Sequence, residues 1–150
     1  MNYMLKRKRN SGFTLIELLI VISIIGVLSV LFINTSTINL KRGRDAKRKS
    51  DLESIRAGIE TYRSDCNSYP LSLSFGGTLK GNDSTVNCLS SNTYIGLVPT
   101  DPSTGRVYLY SSNGTTYQIC ASLETGTGSV SCGGNSACGS ATCNYQVTSP

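Results

Sequence analysis

The chain has 150 residues, 14 Lys+Arg against 9 Asp+Glu, a net charge of +5, and neither His nor Trp. That length suits one domain. Without imidazole, ordinary acid–base and Ser-His chemistry lose their usual base, and no spacing of Ser, Asp or Glu announces a catalytic site.

The global charge conceals its distribution. Lys6, Arg7, Lys8 and Arg9 open the chain, and Lys41, Arg42, Arg44, Lys47, Arg48 and Lys49 form a second cluster. Beyond Ser50, four basic residues face seven acidic ones. A basic collar under a mildly acidic head, with no aromatics between the charges, argues against nucleic acid as a partner.

From Phe13 to Ile33 the chain is apolar with a single charge, Glu17. At about 1.5 Å per residue that run makes roughly 31 Å of helix, close to a bilayer core. One carboxylate there costs about 2.5–3.5 kcal/mol at mid-membrane and less near the edge, which marks Glu17 as a functional candidate. The Lys6–Arg9 cluster predicts a cytoplasmic amino end. A secretory signal peptide would carry a shorter apolar core ending in small residues. Gly26 and the stretch 34–37 (Asn-Thr-Ser-Thr) are the weak points for helix propensity.

Helical spacing continues after the collar. Leu52, Ile55, Ile59, Tyr62 and Cys66 form one apolar stripe, and Glu53/Arg56, Arg56/Glu60 and Glu60/Arg63 stand at pairing distance along the helix. The collar reads as a solvated juxtamembrane patch, or as one that pairs with anionic headgroups or acidic residues of neighbouring subunits. Pro70 ends the helix, because the residue before proline disfavours it.

Residues 71–105 predict a long loop, with a short helix near 89–95 and dense turn chemistry over 99–105. Asn113-Gly114 then joins strands expected at 106–110 and 115–123. In the second, Tyr117, Ile119, Ala121 and Leu123 alternate with Gln118, Cys120 and Ser122, which predicts one buried face. Residues 144–147 supply a last edge strand. The fold class is α+β: a long helix over 13–66, transmembrane over 13–33 and amphipathic over 34–66, packed on a small antiparallel head over 67–150.

All six cysteines follow the apolar run. An even number on the exported side reads as disulfides, and the absence of Cys-x-x-Cys pairs and of His argues against zinc. Sequence alone leaves the connectivity open. Position favours Cys66, at the helix end, with Cys88 in the following loop. Cys120 sits on the strand face opposite Ile119 and reaches the tail, where Cys132 is nearest, leaving Cys138 with Cys143.

Gly12 followed by Phe13-Thr14-Leu15-Ile16-Glu17-Leu18-Leu19-Ile20-Val21 resembles the signal of type IV pilins and type II secretion pseudopilins. The motif is a small residue, an aromatic, then Glu at a fixed offset within an apolar helix. The resemblance implies that residues 1–12 are a leader, cut between Gly12 and Phe13 by the membrane prepilin peptidase, with N-methylation of Phe13. It implies that Glu17 pairs with the Phe13 amine of a neighbouring subunit. It implies as partners other pilin subunits, the peptidase, an inner-membrane assembly platform and, before assembly, the lipid bilayer. The protein is then expected to be a single-pass inner-membrane protein with an exported head, and later part of an extracellular or periplasmic filament.

The resemblance is looser beyond Pro70. There the order of loop, Val98-Pro99-Thr100-Asp101-Pro102 and Tyr108-x-Tyr110 hairpin is similar to the major pseudopilins. Those proteins bind calcium in a late loop. Here the tail has one acidic residue, Glu124, whereas hard cations take several oxygens. No metal or other cofactor is therefore expected, and cross-links at Cys132, Cys138 and Cys143 are expected to pin the tail. The implied function is a structural subunit of a type IV pilus or a type II secretion-like pseudopilus. The alternative is a minor pilin acting as adhesin or DNA-uptake module.

Overall fold

The computed structural model describes residues 12–150; residues 1–11 and the side chains of 31–36 lie outside the description. The expected leader and its Lys6–Arg9 cluster therefore fall outside it, save Gly12. Helix α1 runs over Leu15–Cys66, unbroken at Gly26. The chain divides after Asn39 into two compact units.

In the first unit, Thr14 and Glu17 form a capping pair. The Glu17 N–H donates to Thr14 Oγ1 at 3.3 Å, and the Thr14 hydroxyl donates to Glu17 Oε2 at 3.4 Å. This Thr-x-x-Glu arrangement gives the orphan Glu17 N–H a side-chain acceptor and places a negative charge at the positive end of the helix. The Ser23 and Ser29 hydroxyls donate back to the Ile20 and Ile25 carbonyls at 2.8 and 2.7 Å, so neither presents an unmet donor. Every described side chain from Phe13 to Val30 is exposed. Among the described residues no helix is long and apolar enough to cross a membrane, the described side chains of the apolar run ending at Val30.

The second unit is built on the apolar stripe. Leu52, Ile55, Ile59, Tyr62 and Cys66 are all buried, as the 3.6-residue periodicity requires. They pack with Tyr69, Val98, Tyr108, Tyr117, Ile119 and Val147 in one core. Rings meet edge-on within it, Tyr69 on Tyr117 at 4.7 Å and Tyr62 on Tyr94 at 5.2 Å between centroids. Gly58 lets the helix approach the sheet closely, since a Cβ there would run into the Ile95 side chain.

The head carries three small antiparallel sheets, and residues of the first two pack on that stripe. Strands β1 (Leu79–Lys80) and β2 (Thr93–Ile95) form the first, β3 (Leu109–Ser112), β4 (Tyr117–Ala121) and β7 (Tyr145–Thr148) the second, and β5 (Ala137–Cys138) and β6 (Ala141–Thr142) the third. In the main sheet β4 is central, with Leu109 opposite Cys120 and Val147 opposite Ile119. The expected edge strand near 144–147 is thus present as β7.

Four expectations need correction. The loop 71–105 carries β1 and β2, and Thr93–Ile95 is strand where a short helix was expected. Its backbone is consumed by cross-strand pairing with Leu79 and Lys80. The hairpin is narrower than 106–123, because Asn113 Oδ1 accepts from the Thr115 and Thr116 N–H groups and closes a turn over 113–116. Arg106 instead bridges Gly139, whose φ of +74° suits glycine. Finally, β4 is buried on both faces at Cys120. The tail folds over the second face, where Cys120, Cys132, Cys138 and Cys143 make a small core of their own.

Candidate functional site

Two features invite a functional reading: the apolar opening of α1 and a buried ionic cluster further along the same helix. Gly12 and Phe13 are exposed, Phe13 to 75%, and so is Glu17. Within one chain, the described partner of the Glu17 carboxylate is the Thr14 hydroxyl.

The second feature corrects the reading of the collar as a solvated patch at Arg48 and, in part, at Arg44, while Lys41, Arg42, Lys47 and Lys49 stay exposed. Arg48 is wholly buried. Its Nε and Nη2 grip Asp101 at 2.8 and 3.0 Å as a two-pronged fork. Its Nη1 donates to Asp45 at 2.8 Å and Glu124 at 3.1 Å, and Nη2 also reaches Ser103 Oγ at 2.7 Å. Arg44 forks onto both Glu124 oxygens at 2.6 Å. Lys47 pairs with the buried Asp51 at 2.7 Å, and the Tyr108 hydroxyl donates to the other Asp51 oxygen at 2.9 Å. Thus three of the six collar cations pair with carboxylates of the same chain, Arg48 from the interior, Arg44 half-buried and Lys47 from the surface.

The electrostatics follow. The hydrogen bonds from Arg44, then those from Arg48, hold Glu124 down at about 2 against the opposing effect of burial. Burial works to raise Asp45, but the Glu124 and Thr125 N–H groups, the Thr125 hydroxyl and Arg48 together hold it below the usual carboxylate range. Burial likewise opposes the charge on Arg48, and its bonds to Asp101, Glu124 and Asp45 more than reverse that, raising it above the ordinary arginine value. Burial, then Asp51, pushes Tyr108 up, and burial, then Glu60, pushes Tyr117 up, so both hydroxyls remain donors.

Lower on the helix, Glu60 is not part of the expected chain of i,i+3 and i,i+4 pairs. Its oxygens accept from the Tyr69 and Tyr117 hydroxyls at 3.0–3.2 Å. Arg63 donates to the Tyr69 hydroxyl at 2.6 Å and lies over the same ring. Of the expected pairs only Glu53–Arg56 is made among the described residues, at 3.8 Å. Sequence reasoning missed Arg44, Arg48, Asp101 and the tyrosine donors, though Arg48 and Asp45 lie four and seven residues before Leu52, in phase with the buried stripe.

The cysteines pair as Cys66–Cys88, Cys120–Cys132 and Cys138–Cys143, the connectivity that position favoured. Calcium, implied by the resemblance to major pseudopilins, does not fit these residues. The late loop offers one carboxylate, Glu124, and arginine nitrogens hold both its oxygens. Among the described residues no group of three or more His, Cys, Asp or Glu side chains is placed to hold a metal.

A helix that opens with exposed apolar turns and closes on small antiparallel sheets, joined by disulfides, defines a pilin-like subunit. Residues 7–33 match the prokaryotic N-terminal methylation motif, and residues 37–135 match type II secretion system protein G. The latter match covers more than half the chain, which belongs to the type II secretion protein G family. Among its relatives, the type II secretion system core protein G of Aeromonas hydrophila is 32% identical over 55% of this chain and 54% of its own length. That of Pseudomonas aeruginosa is 28% identical over 74% of this chain and 80% of its own. That of Dickeya chrysanthemi is 30% identical, over 63% and 64%. The chain thus spans from about half to four fifths of these relatives. No solved structure matches it significantly.

Proposed function

We propose that this chain is a structural, non-enzymatic subunit of a type II secretion pseudopilus. Residues 13–33 hold it in the inner membrane with its amino end in the cytoplasm. Cleavage after Gly12 frees the Phe13 amine, which is then methylated, and the subunit joins other pilins on the assembly platform to build a periplasmic filament. The observation that carries this is the apolar run: side chains such as Leu15, Ile16 and Val27 are 68–84% exposed in the single chain. Lipid first, and neighbouring helices afterwards, can cover such a surface. The capping geometry adds support, since Glu17 already stands at the helix end where a freed amine would lie.

Pairing Glu17 with the amine of a neighbour would place opposite charges in a low-dielectric filament core and so select one axial register. The test is complementation of a type II secretion strain lacking its own protein G. Mass spectrometry of the mature chain should find methylated Phe13 at the amino end, and electron microscopy should find filaments containing it. Intact Met1 in a peptidase-positive host, or processed protein that never enters filaments, would overturn the proposal.

A further inference from the structure

We propose that the Arg48 guanidinium is the resident cation of the head, doing within the chain what a bound hard cation would do and leaving the head indifferent to divalent ions. Carboxylates from three segments converge on it: Asp45 from α1, Asp101 from the loop before β3, and Glu124 from the tail. All five guanidinium N–H donors are engaged, on Asp101 twice, Asp45, Glu124 and Ser103.

The carboxylates are equally occupied. Asp45 Oδ1 accepts from Arg48 and the Glu124 N–H, and Oδ2 from the Thr125 N–H and hydroxyl. Asp101 Oδ1 accepts from Arg48 and the Ser103 N–H, and Oδ2 from Arg48. Glu124 Oε1 accepts from Arg44 and Arg48, and Oε2 from Arg44. Every carboxylate oxygen of the cluster therefore already has a donor. A calcium ion needs such oxygens free and gathered on one centre. Here a planar fork, covalently part of α1, holds them apart and neutralises them. It cross-links the same three segments without any ligand to lose.

The experiment uses the full chain in detergent, followed by thermal unfolding in millimolar calcium or in chelator. Wild type should unfold at the same temperature in both. Arg48→Met should unfold lower by on the order of 10 °C or more, because a buried, partly unpaired carboxylate cluster remains. That deficit should shrink on adding calcium, and also as pH falls from 7 towards 4, since either neutralises Asp45, Asp101 and Glu124. Arg44, Asp51 with Lys47, and Tyr108 also face the cluster, so each reading is taken as a difference from wild type. Arg48→Lys keeps the charge but loses the fork; it should fall between the two and stay indifferent to calcium, and it serves if the Met variant does not fold. Wild type destabilised by chelator would overturn the proposal. So would an Arg48→Met deficit independent of both calcium and pH, or an Arg48→Lys variant that calcium stabilises.

Discussion

Replacing Cys66 and Cys88 together with alanine tests how the head holds its weakest stretch. The bridge joins residues 22 apart, from the last turn of α1 to the loop before β2. In the chain-entropy model a loop of that size is worth about 3 kcal/mol, exerted on the unfolded chain. For a domain of this size that corresponds to roughly 10–20 °C in Tm. The folded loop has other ties: the Thr85 hydroxyl donates to the Asp65 carbonyl, and the Tyr94 hydroxyl to the Asp65 carboxylate at 3.0 Å. The double variant should therefore keep its native fold while its unfolded state expands. Urea denaturation should show a lower midpoint and a larger m-value, because more surface becomes exposed on unfolding. An unchanged m-value with a Tm loss below about 4 °C would refute the reasoning and place the bridge's effect in the folded state.

Glu17→Gln retains a side chain able to complete the cap with Thr14, whereas Glu17→Leu does not. If charge pairing drives assembly, both should insert and be processed yet fail to form filaments, and normal filaments from Glu17→Gln would exclude the charge role. Glu124 has a lowered folded pKa, so its ionic bonds stabilise the head above the unfolded value near 4.5 and are lost as pH falls towards about 2. Glu124→Gln should accordingly flatten the loss of stability between pH 5 and 2, measured by denaturation at each pH. Tyr108→Phe leaves the buried Asp51 with Lys47 alone and should cost about 1–3 kcal/mol in urea unfolding. A loss below about 0.5 kcal/mol would show that water replaces the hydroxyl.

The helix was legible because its evidence is local. Leu52, Ile55, Ile59, Tyr62 and Cys66 repeat at 3.6 residues, and Pro70 lies just past the end. The hairpin was legible from Asn113-Gly114, but its edges were not, since the turn is set by which N–H groups reach the Asn113 side chain. Strands β1 and β2 span two and three residues, too short for any alternation to register. Arg48 escaped because its partners lie 53 and 76 positions away. A charge run is usually a solvated face, and only the phase of Arg48 and Asp45 with the apolar stripe could have said otherwise.

That phase bears on how the head finds its place on the helix. An apolar stripe repeating every three or four residues attracts a sheet strongly, but it discriminates poorly between neighbouring registers, since a slip of one turn, about 5.4 Å, brings another apolar residue under the sheet. The carboxylates do discriminate. Asp45 takes the Glu124 and Thr125 N–H groups, Asp51 the Tyr108 hydroxyl, Glu60 the Tyr69 and Tyr117 hydroxyls, and Asp65 the Tyr94 hydroxyl. A slip of one turn separates all of these at once and leaves the buried Asp45 and Asp51 without partners, at a cost of several kcal/mol for each, while the half-buried Glu60 and Asp65 lose their bonds at a smaller cost. Hydrophobic contact supplies the attraction of helix for sheet, and the spaced carboxylates select which turn of the helix it settles on.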